Sequence, residues 1–192
     1  KPIQQIMLER RHFKEIETDV IDNVWKVFGS GVHTALEGLE GADLVPITRM
    51  KGEVLGVKIS GKFDVLKGTR LTDYKVTSVW KIVYKSGEED WKMQLSIYRW
   101  LWNYEKKQLL DDVGNIIAIL RDWSARDLEK SNYPKAPILE IPIKLYSIAE
   151  TEKFLTDKIL ALNANENLKD DELPHCTDEE RWWNQKQKNF MK

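Results

Sequence analysis

The chain has 192 residues, 42% of them hydrophobic and 32% charged, with a formal net charge of −1 and a single cysteine, Cys176. That is room for one domain with a proper core and little for two. Charges that nearly cancel give no global pull on a polyanion, so any contact with nucleic acid has to rest on local basic patches or a bound cation. One cysteine excludes an internal disulfide framework and a four-cysteine iron–sulfur cluster built from this chain alone. No apolar run approaches the length of a membrane span and the first residues show no signal-peptide pattern, so a cytoplasmic location is expected.

From residue 10 to residue 28, Phe13, Ile16, Val20, Val24 and Val27 recur at helical spacings. They predict one or two amphipathic helices, ended by Gly29, with this face packed into the core. Ser30 would cap a further helix over 31–40, with Val32, Leu36 and Leu39 on one face and His33, Glu37 and Glu40 on the next. On its own, a histidine so placed is more often a satisfied surface or core residue than a ligand. Residues 41–48 read as a linker with Pro46. Glu53 and Val54 belong to a first strand, in which Gly52 and Gly56 mark irregularity or a close backbone approach.

Two stretches of alternation follow, over 59–66 and 71–77, joined at Lys67-Gly68, and they read as a hairpin of half-buried strands. The first puts Val57, Ile59, Phe63 and Val65 on one face and Lys58, Ser60, Lys62 and Asp64 on the other; the second groups Asp73, Lys75 and Thr77. If the polar faces coincide, two carboxylates and an ammonium meet on a rigid sheet, which is the makings of a metal site with a lysine beside it.

Residues 80–84 suit either an extended segment or a helical turn, closed by Ser86-Gly87. The helix over 88–104 has Lys92, Ser96, Arg99, Asn103 and Lys106 as its polar arc, with Gln94 and Tyr98 one turn apart in the apolar arc. A buried amide there needs hydrogen-bond partners. Residues 116–120 suit a buried strand and 139–146 an edge strand containing Pro142. Between them, 121–137 reads as a solvated loop whose Arg121, Arg126, Lys130 and Lys135 are diluted by acids. A helix over 151–162 would turn Phe154, Leu155, Ile159 and Leu162 inward. An exposed acidic connector, 163–172, precedes a capping box of Thr177 and Glu180 that opens a last helix carrying Trp182 and Trp183. His175 with Cys176 is too little for a zinc site. Trp80, Trp91 and Trp102 are candidates for base stacking, although tryptophans at helical spacing are more often core.

His33 within Gly31-Val32-His33-Thr34-Ala35-Leu36-Glu37, then Asp64, then Asp73-Tyr74-Lys75, then Gln94 with Tyr98, form an ordered set over residues 33–98. This set resembles the PD-(D/E)xK nuclease superfamily, and most of all the RecB-type exonucleases, phage recombination enzymes among them. The resemblance implies an α/β fold with a restriction-endonuclease-like core, a mixed central sheet flanked by helices. It treats 1–192 as a single nuclease domain, with 163–192 a connector and C-terminal helical tail. It implies a metal held by His33, Asp64, Asp73 and the carbonyl of Tyr74, and Mg²⁺ or Mn²⁺ suits such oxygen-rich ligands. Asp64, Asp73, Lys75, Gln94 and Tyr98 would then be the catalytic set, with Lys75 orienting or deprotonating the attacking water and Gln94 and Tyr98 positioning the water, Lys75 or a phosphate. Glu37 stays open between holding a second metal or a water and being a solvated helix residue. Val76 stands where many relatives have threonine, and Phe63 where the superfamily's name has proline.

The implied activity is metal-dependent hydrolysis of phosphodiester bonds at DNA ends, in phage-type recombination or repair. An endonuclease of the same fold, structure-specific or restriction-type, is the alternative, and an inactive nuclease-fold module that binds DNA or protein is the second. DNA is the expected partner, with a second copy of the chain or a recombination protein as further company, no membrane, and a bacterial host cytoplasm as the setting if a phage encodes it.

Overall fold

The structure, a computed structural model, describes residues 1–17, 19–37, 48–178 and 180–181. In chain order the elements are helices α1 (Ile3–Arg11) and α2 (Val20–Glu37), strands β1 (Met50–Val54), β2 (Val57–Gly61), β3 (Val65–Lys67) and β4 (Arg70–Thr77), helices α3 (Val79–Val83) and α4 (Glu88–Lys106), strands β5 (Val113–Leu120) and β6 (Ile138–Lys144), and helix α5 (Ile148–Ala164). The chain divides into two units, Val20–Phe154 and the pair of segments Lys1–Asp19 and Leu155–Lys192.

In the larger unit, a mixed sheet runs in the order β3, β4, β5, β6, with β4 and β5 parallel and both outer pairings antiparallel. Helices α2 and α4 both contact β4. This is a mixed α/β arrangement with a four-stranded sheet flanked by helices, consistent with a restriction-endonuclease-like core. The parallel pair holds the run Ile116, Ala118 and Leu120 out of water, as a strand covered on its faces requires. The sheet ends at β6, and Pro142 is tolerated there because an edge strand has backbone groups that need no ladder partner.

The expected hairpin is replaced by a different pairing. Residues 57–61 pair with β1, through a turn in which Leu55 (φ 49°) and Gly56 (φ 77°) are both left-handed, as a tight two-residue hairpin turn demands. Of the expected first arm, only β3 pairs with β4, turning at Gly68-Thr69. The break falls where α4 comes close. A Cβ on Gly52 would stand 2.6 Å from the Trp100 ring, and one on Gly61 would stand 2.7 Å from the Tyr98 ring. The glycines let β1 and β2 lie against α4, and residues 62–64 then cross to β3. Phe63, fully buried, fills that crossing with its ring centroid 6.2 Å from Tyr98 and 5.9 Å from Trp102.

Helix α2 differs from expectation too. It is a single helix of 18 residues that continues through Gly29, Ser30 and Gly31. A glycine inside a helix costs about 1 kcal/mol relative to alanine but does not end it, and Ser30 is a mid-helix residue whose carbonyl accepts from Thr34 Oγ1. The expected inward packing of Phe13, Ile16, Val20, Val24 and Val27 is overturned: all five are exposed.

In α4, two members of the expected polar arc are buried. Arg99 donates from Nε to the Leu110 carbonyl at 3.0 Å, and Ser96 Oγ donates to the Lys92 carbonyl at 2.7 Å while accepting the Tyr146 N–H at 3.0 Å. Leu110 and Tyr146 lie in the segments flanking β5 and β6, so the arc facing solvent is narrower than the helical wheel implies. Residues 80–84 resolve as α3 with its C-cap, opened by Ser78. Bonds that hold the loop after β5 include Trp123 Nε1 to the Pro134 carbonyl at 2.9 Å and the Ser124 N–H to Tyr133 Oη at 2.8 Å.

In the smaller unit, Arg11 ties α1 to the segment after α5. Its guanidinium reaches Asp170 at 2.6 Å and the carbonyls of Asn165 and Glu166 at 3.2 and 3.0 Å. His12 bridges Glu15 and Asp170, which together raise its pKa. Met7, Leu155, Ile159 and Leu173 are buried, whereas Phe154, at the edge of the larger unit, is partly exposed rather than inward. The Thr177–Glu180 capping box forms. Trp182 and Trp183, like Leu39, Glu40 and Pro46, lie outside the described residues. Among the described residues no helix is long and apolar enough to cross a membrane.

Phe63→Ala is expected to destabilise the chain by about 3–5 kcal/mol through the cavity it leaves, and Val24→Ala by less than about 0.5 kcal/mol. Urea denaturation of both variants checks this. A large effect at Val24 would restore that helix face to the core.

Candidate functional site

Strand β4 places the first pair. Alternation along Leu71, Asp73, Lys75 and Thr77 keeps these on one face. Leu71 anchors that face in the core, so the carboxylate two residues on enters the structure almost buried. The Asp73 side chain is 4% exposed and that of Lys75 23%, with Lys75 Nζ 2.6 Å from Asp73 Oδ2. That oxygen is fully enclosed and makes no directed hydrogen bond, the ammonium meeting it as an ion pair only. Burial pushes the Asp73 carboxyl up to about 6, against the pull of Lys75; the charge of Asp64 pushes the same way as burial, and His33 opposes it.

Asp64 supplies the second pair. Because β3 leaves β4 at Val65, opposite Thr72, the N–H of Tyr74 has no strand partner there. Asp64 Oδ2 accepts that N–H at 2.7 Å, and Oδ1 lies 3.1 Å from His33 Nδ1. Backbone N–H groups seldom go unpaired when buried, so the carboxylate does the work of a missing strand residue. His33 meets Tyr74 edge-on, with ring centroids 6.4 Å apart. Burial, then the charge of Asp64, raises the Tyr74 phenol pKa.

Helix α4 brings the third pair. Gln94 Nε2 donates to Tyr98 Oη at 2.7 Å, which answers the sequence question of what an amide in the apolar arc bonds to. The Tyr98 phenol is raised chiefly by burial; the charges of Asp73 and Asp64 both reach it, and so does that of Arg49. Thus Asp64, Asp73 and Tyr98 share one electrostatic neighbourhood, with His33, Lys75 and Gln94 each bonded to a member of it. Arg49 was not visible in the sequence, since nothing in its own spacing marks it. Glu37 closes α2, one turn beyond His33.

The donor set of an imidazole, two carboxylates and a backbone carbonyl suits a hard divalent cation, although the enclosed Oδ2 of Asp73 already faces the Lys75 ammonium. Yet among the described residues no three His, Cys, Asp or Glu side chains form a group able to hold a metal. Alternation supplies a reason: Tyr74 projects from the face of β4 opposite Asp73, and His33 packs on Tyr74. The donors therefore stand as two pairs, each bonded within itself.

No family model and no curated protein matches the chain. Among solved structures, it is similar to the crystal structure of SSO0001, with a TM-score of 0.51 and 22% identity over 82% of this chain and 70% of that one. It is also similar, with a TM-score of 0.43 and 17% identity over 81% of this chain and 78% of the other, to a phage-related exonuclease from Haemophilus somnus 129PT. The first likeness concerns the fold alone, and the second is too low in score to carry an argument.

A carboxyl raised from 3.8 to about 6 by folding binds its proton more tightly in the native state, so its ionisation costs stability as pH rises through that window. In chelator-treated buffer, the stability of Asp73→Asn relative to the parent chain is expected to climb between pH 4 and pH 7, by on the order of 3 kcal/mol. Denaturant melts across that range read it directly. A difference that stays flat would mean that Asp73 is not held in this environment.

Proposed function

We propose that the chain is a metal-dependent deoxyribonuclease of the PD-(D/E)xK type, acting as an exonuclease at DNA ends. The observation behind this is that the Asp73–Lys75 pair and the His33–Asp64 pair both attach to β4 where β3 parts from it, with the Gln94–Tyr98 pair inside the same electrostatic field. Those are the six side chains that the sequence resemblance selects, drawn from four separate parts of the chain.

Asp64, Asp73, His33 and the Tyr74 carbonyl would hold Mg²⁺ or Mn²⁺, which would supply charge neutralisation at the phosphate and an acidified water. The chain's own groups do the rest. Lys75, fixed by Asp73 on a rigid strand, holds or accepts a proton of the attacking water at Nζ. Tyr98, oriented by Gln94, presents a phenol that its surroundings keep protonated, so it donates a hydrogen bond to a phosphate oxygen. Arg49 adds positive charge near Tyr98 for the incoming backbone. Recombination or repair of phage-type DNA, in a bacterial cytoplasm and with a second copy or a recombination protein as partner, is the setting that agrees with this chemistry.

A second reading has one observation in its favour. The two donor pairs satisfy each other without an ion, and no described group of three is gathered for one, as a nuclease fold retained for binding alone would show.

Incubation with linear and closed circular DNA in Mg²⁺ or Mn²⁺ separates the possibilities. Loss of the linear form alone is expected, as is its arrest by chelator. Asp73→Ala and Lys75→Ala are each expected to lower the rate by at least about 10²-fold while leaving the circular dichroism of the fold in place. Full cleavage by a clean Asp73→Ala preparation would remove the nuclease assignment, attack on circular DNA would move it to an endonuclease, and no cleavage by the parent chain with either ion would leave the binding module.

A further inference from the structure

Just beyond Lys75, the same strand runs into a short helix with aromatic rings facing water. Trp80 follows Lys75 by five residues, so at most about 18 Å of chain separates them. Tyr84 follows Trp80 by one helical turn, and the two rings stack with centroids 6.0 Å apart and planes 24° from parallel. Trp80 is 43% exposed and Tyr84 72%. Tyr133, itself buried, meets Trp80 edge-on at 6.5 Å, and Lys130 Nζ stands 5.8 Å from the centre of the Trp80 ring. The result is a column with Tyr133 in the interior, Trp80 upon it and Tyr84 outermost.

The column is held in place before any ligand arrives. Asp122 accepts from Ser78 Oγ at 2.6 Å and from the Val79 N–H at 2.7 Å, while the Trp80 N–H donates to Ser78 Oγ at 3.2 Å. The Tyr133 hydroxyl accepts the Ser124 N–H. Of the cations on the neighbouring chain, Lys130 reaches the Trp80 ring and Lys81 lies over the Trp91 ring at 5.3 Å. Lys81 and Lys85 lie on the same turn of chain, and Arg121 and Arg126 on the loop that carries Lys130, with Arg121 over the Trp25 ring at 4.2 Å. Two acids of that loop are engaged, Asp122 by the donors that open α3 and Asp127 by Lys130 at 2.7 Å, and Glu129 is exposed on it.

Exposed π-faces spaced by cations are what a flexible polyanion with stacking bases requires, and base stacking on such rings is tolerant of sequence. We propose that Tyr84 and Trp80 form a stacking column for the bases of single-stranded nucleic acid, gripping the strand next to the Asp73–Lys75 centre. The inference rests on the nuclease reading for its orientation, since it makes an unpaired strand at a DNA end the substrate. A base continues the column on the open face of Tyr84, and Lys85, Arg121 and Arg126 serve the backbone.

Fluorescence anisotropy of labelled oligo-dT, oligo-rU and a blunt duplex, in chelator and at one fixed salt, tests it in a Lys75→Ala background that leaves the strand uncut. Oligo-dT binding is expected to weaken roughly five- to hundred-fold in Trp80→Ala and in Tyr84→Ala, and to survive in Tyr84→Phe, which keeps the ring. Duplex binding is expected to change far less. Oligo-dT is also expected to quench tryptophan emission in the parent and less so in Trp80→Phe, a readout that a misfolded variant would not mimic. A stronger effect with dT than with rU, or the reverse, assigns the column to DNA or to RNA. Unchanged oligonucleotide affinity in both alanine variants overturns the proposal, as does a loss equal for duplex and single strand, or binding of an unrelated peptide in place of the oligonucleotide. Parent cleavage with unaffected variants would sink the column and spare the nuclease reading; column-dependent binding with no parent cleavage would do the opposite.

Discussion

The site depends on the carboxylate of Asp64 standing in for a missing strand. Where β3 parts from β4, the Tyr74 N–H would be buried without a partner, a loss worth about 1–3 kcal/mol. Asp64 Oδ2 takes that N–H, and its other oxygen reaches His33 on α2. One side chain thus fixes the depth of β4, the path of residues 62–64 and the approach of a helix. That the residue doing this is also the first proposed metal ligand is economical: its geometry is set by backbone, which does not reorient, rather than by another flexible side chain.

Such a frame explains why Asp73 can be kept in an environment hostile to its charge. Leu71 below it and the core beyond exclude water, and Lys75 alone opposes the resulting rise in pKa with a direct contact. A buried ion pair seldom adds net stability, because desolvation of both charges offsets their attraction. The proposed function would give a pair of this kind, on a strand whose neighbours are tightly packed, a use that stability alone does not. The same holds for Tyr98, which Phe63 and the bare backbone of Gly61 confine while its hydroxyl is left to Gln94.

Much of this was legible in the sequence because strand alternation fixes faces. Asp73 and Lys75 are two residues apart and so must share one, and Gln94 and Tyr98 are one turn apart and so must meet. Alternation does not name a partner, however. The stretch 57–65 alternates well, yet Gly61 lets α4 approach and splits it between two sheets. Helical periodicity likewise fixed a stripe on residues 13–27 without saying whether anything covers it, and in the structure those side chains are exposed. Arg99 looked like a solvated residue because its acceptors, the carbonyls of Leu110 and Tyr146, come from segments that only the fold brings near.

The opposed faces of β4 decide what remains. Asp73 and Lys75 look to one side of the strand and Tyr74, with His33 against it, to the other, so the two carboxylates can face one cation only across the strand's edge, where β3 is absent. The opposed faces are also the reason the donors rest as two separate pairs: each pair is closed over its own charge, and under the proposed function a divalent ion would have to compete with the His33–Asp64 and Lys75–Asp73 contacts at once. Under the proposed function an ion with strong affinity for oxygen would have to do so, whereas a monovalent one, with half the charge, has far less to offer a carboxylate already paired. Selection for divalent ions would follow from this pairing, without a preformed cage.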